Sequence, residues 1–201
     1  VVSGNTDGIV SRVPRRLQAK FLEVIRDWEL APEYATEQTD YLSTHARDVN
    51  SYIAIKQGKD GKKEVKAKGA YAASGPGLPG ASGLKKNPDM EISVDAVIAY
   101  LKDGTPIEDT IEWCTDIRKF VVVRRVNGGA FDQDGREIGK ALRWYYSADV
   151  RGAFTNSTGG RVPGTEGAKL LMELPRAFPA GVDYSRYIRE AHAILEAIGM
   201  P

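Results

Sequence analysis

Residues 72–83 read AASGPGLPGASG, with four glycines, two prolines and no side chain larger than leucine. Such a run has no apolar periodicity and little to pack, so it is expected to be a loop or a linker. A chain of 201 residues can bury its core as one large domain or two small ones, and this run is the expected boundary between two. The expected boundaries are 1–71, a Gly/Pro-rich loop over 72–87, and 88–201. No glycine-rich phosphate cradle is present, since Gly83 is followed by Leu84 rather than by Lys-Ser/Thr.

In the first piece, Val1-Val2 and Ile9-Val10 flank Asn5-Thr6-Asp7-Gly8, a pattern that predicts a β-hairpin with Asp7 at its tip. A carboxylate there is a rigid mount for a metal ligand. Asp-Gly is equally an ordinary turn pair, because both residues favour turns for reasons unrelated to function. Pro14 then suits the first turn of a helix, and Leu17, Phe21, Val24, Ile25 and Trp28 recur at helical spacing up to Pro32. Residues 33–45 are polar and read as extended. Alternation over 49–55 predicts a strand, Gly58-Lys59-Asp60-Gly61 a turn, and residues 64–70 the returning strand. Lys56, Lys59, Lys62, Lys63, Lys66 and Lys68 form the densest positive cluster of the chain. It reads either as a solvated edge guarded against aggregation or as a binding surface.

In the second piece, Val94, Val97, Ile98 and Leu101 predict a helix over 92–101 that Asp103-Gly104 stops. Thr105 is placed as the N-cap of a short helix running to Cys114. Strands are expected over 120–126, 139–147 and 150–154, and a closing helix over 184–198 before Gly199. The fold class is therefore α+β, with antiparallel strands and one helix in the first piece and a mixed, helix-containing second piece.

Lys+Arg 28 against Asp+Glu 27 leaves a net charge of +1, so any polyanion surface must come from local segregation of charge. One cysteine, Cys114, excludes internal disulfides and suits a reducing cytosol, which makes a cytoplasmic protein the expectation. Cys114, His45 and His192 have no zinc spacing. No run approaches a membrane span or a secretory leader. The chain opens on Val1 inside an apolar run, and an upstream part is expected.

Taken in order, these segments resemble the last part of a B-family DNA polymerase, most closely the compact phage-type members. The family's motif C is a hairpin tipped by Asp-Thr-Asp, and Asn5-Thr6-Asp7 stands in its place, with Gly8 where the family has serine. Asp7 falls on the metal-binding aspartate, and Asn5 replaces the first one. Some 45 residues on, Asn50-Ser51-Tyr52 resembles the family's Lys-x-Tyr motif, with Asn50 in place of lysine. Lys68-Gly69 resembles the Lys-Gly that follows the next strand. The segments DAVIAYL, TDIRKF, GKALRWYYS, VPGTEGAKLLMELP and DYSRYIREAHAIL are similar to the thumb of these enzymes.

The resemblance implies the end of a palm followed by a thumb. It also implies nucleotidyl transfer from a dNTP to a primer 3′-hydroxyl by two magnesium ions. Asp7 would be the catalytic metal ligand, with Asn5, Thr6 and Gly8 shaping the turn. Tyr52, Asn50, Lys66, Lys68 and Gly69 would meet the primer, while Arg118 and Lys119, with Arg124 and Arg125, track the duplex by charge. Trp144, Tyr145 and Tyr146 could stack on bases, although consecutive strand residues alternate faces and at least one is expected in the core. Partners would be primer–template DNA and dNTP, within a monomeric polymerase in a bacterial host's cytoplasm. The second metal-binding aspartate and the nucleotide-gripping helix would precede Val1, so the isolated chain is expected to be inactive. A non-catalytic nucleic-acid-binding module and, more remotely, a protein-interaction domain built on the aromatic strand are the alternatives.

Overall fold

The computed structural model describes residues 2–5, 8–30, 35–72 and 89–200. The chain is α+β, with antiparallel sheets and four α-helices among these residues, and divides into two compact units, Val1–Ala70 and Tyr71–Pro201. Residues 73–88, most of the expected linker, lie outside the described residues. No helix among the described residues is long and apolar enough to cross a membrane.

Unit 1 begins with β1 (Ser3–Asn5) and β2 (Gly8–Val10), paired antiparallel with Asn5 opposite Gly8. Pro14 leads through one 3₁₀ turn into α1 (Gln18–Leu30), as its fixed φ favours. The apolar stripe of α1 is there as its spacing predicts, yet Phe21, Val24 and Trp28 stay exposed and the helix buries no residue. A three-stranded antiparallel sheet follows in the order β3 (Ser43–Ala46), β4 (Tyr52–Gln57), β5 (Lys63–Lys68). The central strand holds the unit's core, with Ile53, Ala54 and Ile55 buried. Residues 49–51, expected as strand, instead form the turn into it. There the Asp48 carboxylate accepts from the backbone N–H groups of Asn50 (2.9 Å) and Ser51 (2.8 Å), an alternative that short polar side chains offer the backbone.

Unit 2 holds α2 (Glu91–Asp103), α3 (Ile107–Glu112), β6 (Val122–Phe131), β7 (Glu137–Tyr146), β8 (Thr155–Asn156), β9 (Ala168–Leu170) and α4 (Tyr184–Ala197). Its sheet runs β8-β6-β7-β9, every pair antiparallel. Val122, Leu142, Trp144, Tyr146 and Ala168 lie on one face of the ladder and are buried with Ile92, Ala96 and Val97 of α2 and Tyr187, Ala191 and Leu195 of α4. The Tyr187 hydroxyl joins helix to sheet, donating to the Phe120 carbonyl (2.9 Å) and accepting from the Tyr146 N–H (2.8 Å). Ser93 Oγ of α2 donates to the Tyr187 carbonyl at 2.9 Å, which ties α2 to α4.

Two local expectations are corrected here. The cap of α3 is Pro106, not Thr105, and it makes no side-chain capping bond; the fixed φ of proline (−55°) starts the helix instead. Residues 150–154 form no strand. The strand falls just after them, in the two-residue β8, which pairs with β6.

Candidate nucleic-acid interface

The β3–β4–β5 register assigns each side chain of unit 1's sheet to a face. Tyr52 sits opposite Lys68, Ala54 opposite Lys66, and Lys56 opposite Glu64, all on one side. The other side carries Ile53, Ile55, Val65, Ala67 and His45. Burial lowers the pKa of His45 below its usual value, so that face favours the uncharged imidazole. Lys66 and Lys68 are exposed while Val65 and Ala67 are half-buried, as alternation along the strand requires.

Charge along the open face is not uniform. Towards the β4–β5 turn, Lys56 Nζ pairs with Glu64 at 3.0 Å, and Lys62 approaches Asp60 at 3.9 Å. Towards Gly69, Lys66 and Lys68 have no carboxylate partner among the described residues. Lys66 lies beside the phenol oxygens of Tyr41 and Tyr52. Their electrostatic pull, then hydrogen bonds to them, raises its pKa above the ordinary lysine value despite slight desolvation. A phenol orients an ammonium without cancelling its charge, so the cation stays free to meet a phosphate.

The end of this ladder is closed by a tight approach. Gly69 has φ +62°, and a Cβ there would lie 2.2 Å from the Asn50 carbonyl oxygen. The Ala70 N–H donates to Ser51 Oγ at 3.4 Å, and Arg47 Nη2 donates to the same hydroxyl at 3.2 Å. Tyr52, Lys66 and Lys68 thus share one sheet face at the open end of the β4–β5 hairpin, where the backbones of Asn50 and Gly69 meet. Tyr41 joins them, although no motif in the sequence marks it. It stands in the polar run before β3, where only the sheet pairing brings it near Lys66.

The remaining expected site residues are placed differently. Thr6 and Asp7 lie outside the described residues; Asn5 and Gly8 face each other across the ladder that leads to them. Among the described residues no group of three His, Cys, Asp or Glu side chains could hold a metal ion. A single carboxylate does not position two magnesium ions, and the described residues do not by themselves fit a two-metal site.

Arg118 and Lys119 belong to unit 2, where each already has a carboxylate. Arg118 grips Asp116 through Nε (2.8 Å) and Nη2 (2.7 Å), and Lys119 Nζ meets Asp95 at 2.6 Å. The Arg118 hydrogen bond holds the Asp116 carboxyl below its ordinary pKa against some desolvation, while the Asp95 hydrogen bond raises that of Lys119. Trp144, Tyr145 and Tyr146 are all buried, so none presents a ring for stacking on bases. No family model matches the chain, and no curated protein or solved structure is detectably similar to it.

Proposed function

We propose that this chain is the C-terminal part of a template-directed B-family DNA polymerase, with unit 1 as the end of the palm and unit 2 as the thumb. The observation that supports the reading is that Tyr52, Lys66 and Lys68 share one sheet face, at the ladder end where Gly69 packs against the Asn50 carbonyl. A polymerase joins a primer 3′-oxygen to the α-phosphorus of a dNTP and releases pyrophosphate. Magnesium, when bound, stabilises the charge on the reacting phosphates.

This chain's own part is binding and alignment. Lys66 and Lys68 neutralise primer phosphates as point charges, which positions the strand without reading its sequence. Tyr52, half-buried, offers a ring edge and a hydroxyl to the primer's sugar or terminal base. Asp7 adds one carboxylate to a metal site whose other ligands, with the grip on the dNTP, belong to residues outside this chain. The polymerase is proposed to act as a monomer in a bacterial host's cytoplasm.

Asp7→Ala in the polymerase that carries this chain is the test. Primer extension is expected to fall to background while primer–template affinity is unchanged. Synthesis at the wild-type rate would reject the metal role. Unchanged synthesis together with normal binding through Lys66 and Lys68 would favour a non-catalytic nucleic-acid-binding module.

A further inference from the structure

β6 and β7 fall out of step in the middle of unit 2's sheet. Arg125 sits opposite Ala141 and Ala130 opposite Gly139, so β6 advances five positions while β7 advances two. Residues 126–129 have no partner in that register and form a bulge, the device by which one strand takes up extra residues. Two glycines carry the excursion, Gly128 at φ +80° and Gly129 at φ +91°, values that residues with a Cβ rarely adopt. Asn127 and Gly128 are both exposed on it.

Asparagine is a chemically labile residue. Its side-chain carbonyl carbon lies within reach of the next residue's backbone nitrogen, and a glycine there puts no Cβ in the way. What ordinarily restrains that nitrogen is its hydrogen bond, since most backbone N–H groups are paired. Three Asp-Gly pairs among the described residues have this restraint. The Gly61 N–H donates to the Gly58 carbonyl at 3.1 Å, Gly104 to Tyr100 at 2.9 Å, and Gly135 to Asp132 at 3.1 Å. Gly128 lies in the gap of the ladder, and no carbonyl outside the ladder accepts from it among the described residues. Of the asparagines in the sequence, only Asn127 is followed by glycine.

We infer that Asn127 is a self-modifying site, deamidated in the folded chain without an enzyme. The Gly128 nitrogen loses its proton to solvent and bonds to Asn127 Cγ, while the Cγ–Nδ2 bond breaks and ammonia leaves. Water then opens the five-membered imide at either carbonyl, leaving aspartate or isoaspartate at position 127. One water is consumed and one ammonia released, with no change of oxidation state. Each event adds one negative charge, which takes the chain from net +1 to zero at pH 7. The isoaspartyl product also lengthens the backbone by a methylene just before Ala130 and Phe131, whose partners on β8 are Asn156 and Thr155. There is no slack on that side, because a Cβ on Gly128 would run into Ser157 Oγ. The lengthened backbone therefore loosens the β8 edge. The site rests on the sheet register alone and is independent of the proposed polymerase function.

The test incubates the whole folded chain at mildly alkaline pH and follows it by peptide mapping, isoelectric focusing and hydrogen exchange. The peptide that holds Asn127 is expected to gain about 1 Da as its amide becomes a carboxyl group. An acidic shift of the intact chain and faster exchange over residues 155–161 are expected to grow with it. Asn127→Gln keeps an amide but lengthens the side chain, so the five-membered ring cannot close, and all three changes are expected to disappear. An unmodified Asn127, or a mass gain at Asn50 or Asn156 instead, would overturn the site. Isoaspartate at Asp60, Asp103 or Asp134 in a yield matching position 127 would overturn the argument from the hydrogen bonds. Unchanged exchange over 155–161 in the modified chain would overturn the loosening of β8.

Discussion

At the scale of single residues, unit 2 depends most on Tyr187. Burial raises the pKa of its phenol, so the hydroxyl stays protonated and keeps donating to Phe120 while accepting from Tyr146. Tyr187→Phe leaves a buried carbonyl and a buried N–H without partners, and the loss is expected to be about 1–3 kcal/mol in urea unfolding. A change within error would mean that the bridge contributes nothing. The residues proposed to face the primer show how far single positions could be read. The resemblance singled out Lys66 and Lys68, but nothing in the lysine cluster itself separates them from Lys56, which Glu64 neutralises across the ladder. That distinction is a matter of register, as is the proximity of Tyr41 to Lys66. Arg118 and Lys119 illustrate the opposite case. Asp116, two positions from Arg118, was a partner visible in the sequence, whereas Asp95 reaches Lys119 only through the fold.

At the scale of elements, long periodic segments were legible and short ones were not. Leu17 to Trp28, Val94 to Leu101 and Tyr184 to Ile198 announce α1, α2 and α4, because hardly any structure but a helix makes an apolar stripe recur at that spacing. β3, β8 and β9 run four, two and three residues and are set by their partners rather than by any alternation of their own. The β4–β5 ladder depends on the closure at Gly69. In Gly69→Ala a left-handed φ costs about 1–2 kcal/mol, and the added methyl also meets the Asn50 carbonyl. Lower thermal stability of unit 1 and weaker primer–template binding are expected together. Wild-type stability in that variant would show that the close approach does not hold the ladder end.

At the scale of the whole molecule, the Gly/Pro-rich run anticipated two bodies, and the chain divides at Ala70/Tyr71. Unit 2 has a core of helices against one sheet face, with the Phe120 ring meeting those of Phe178, Tyr184 and Tyr187 edge to face at 5.4, 6.1 and 5.0 Å. Residues 89–201 expressed alone are expected to melt cooperatively by circular dichroism. A non-cooperative, molten transition would contradict a self-sufficient core. What the sequence could not convey at this scale is charge distribution. A net charge of +1 conceals a sheet face of unit 1 on which Lys66 and Lys68 lack acidic partners among the described residues.

The central claim is that the Tyr52 face meets the primer, and it can be tested by where a primer touches the chain. A primer–template carrying 5-iodouridine at the primer 3′ end, irradiated with the chain and digested for mass spectrometry, is predicted to crosslink to Tyr52 or Tyr41. Lys66→Ala/Lys68→Ala should lower the yield as binding weakens. Crosslinks confined to other surfaces, or an unchanged yield in the double variant, would contradict the account.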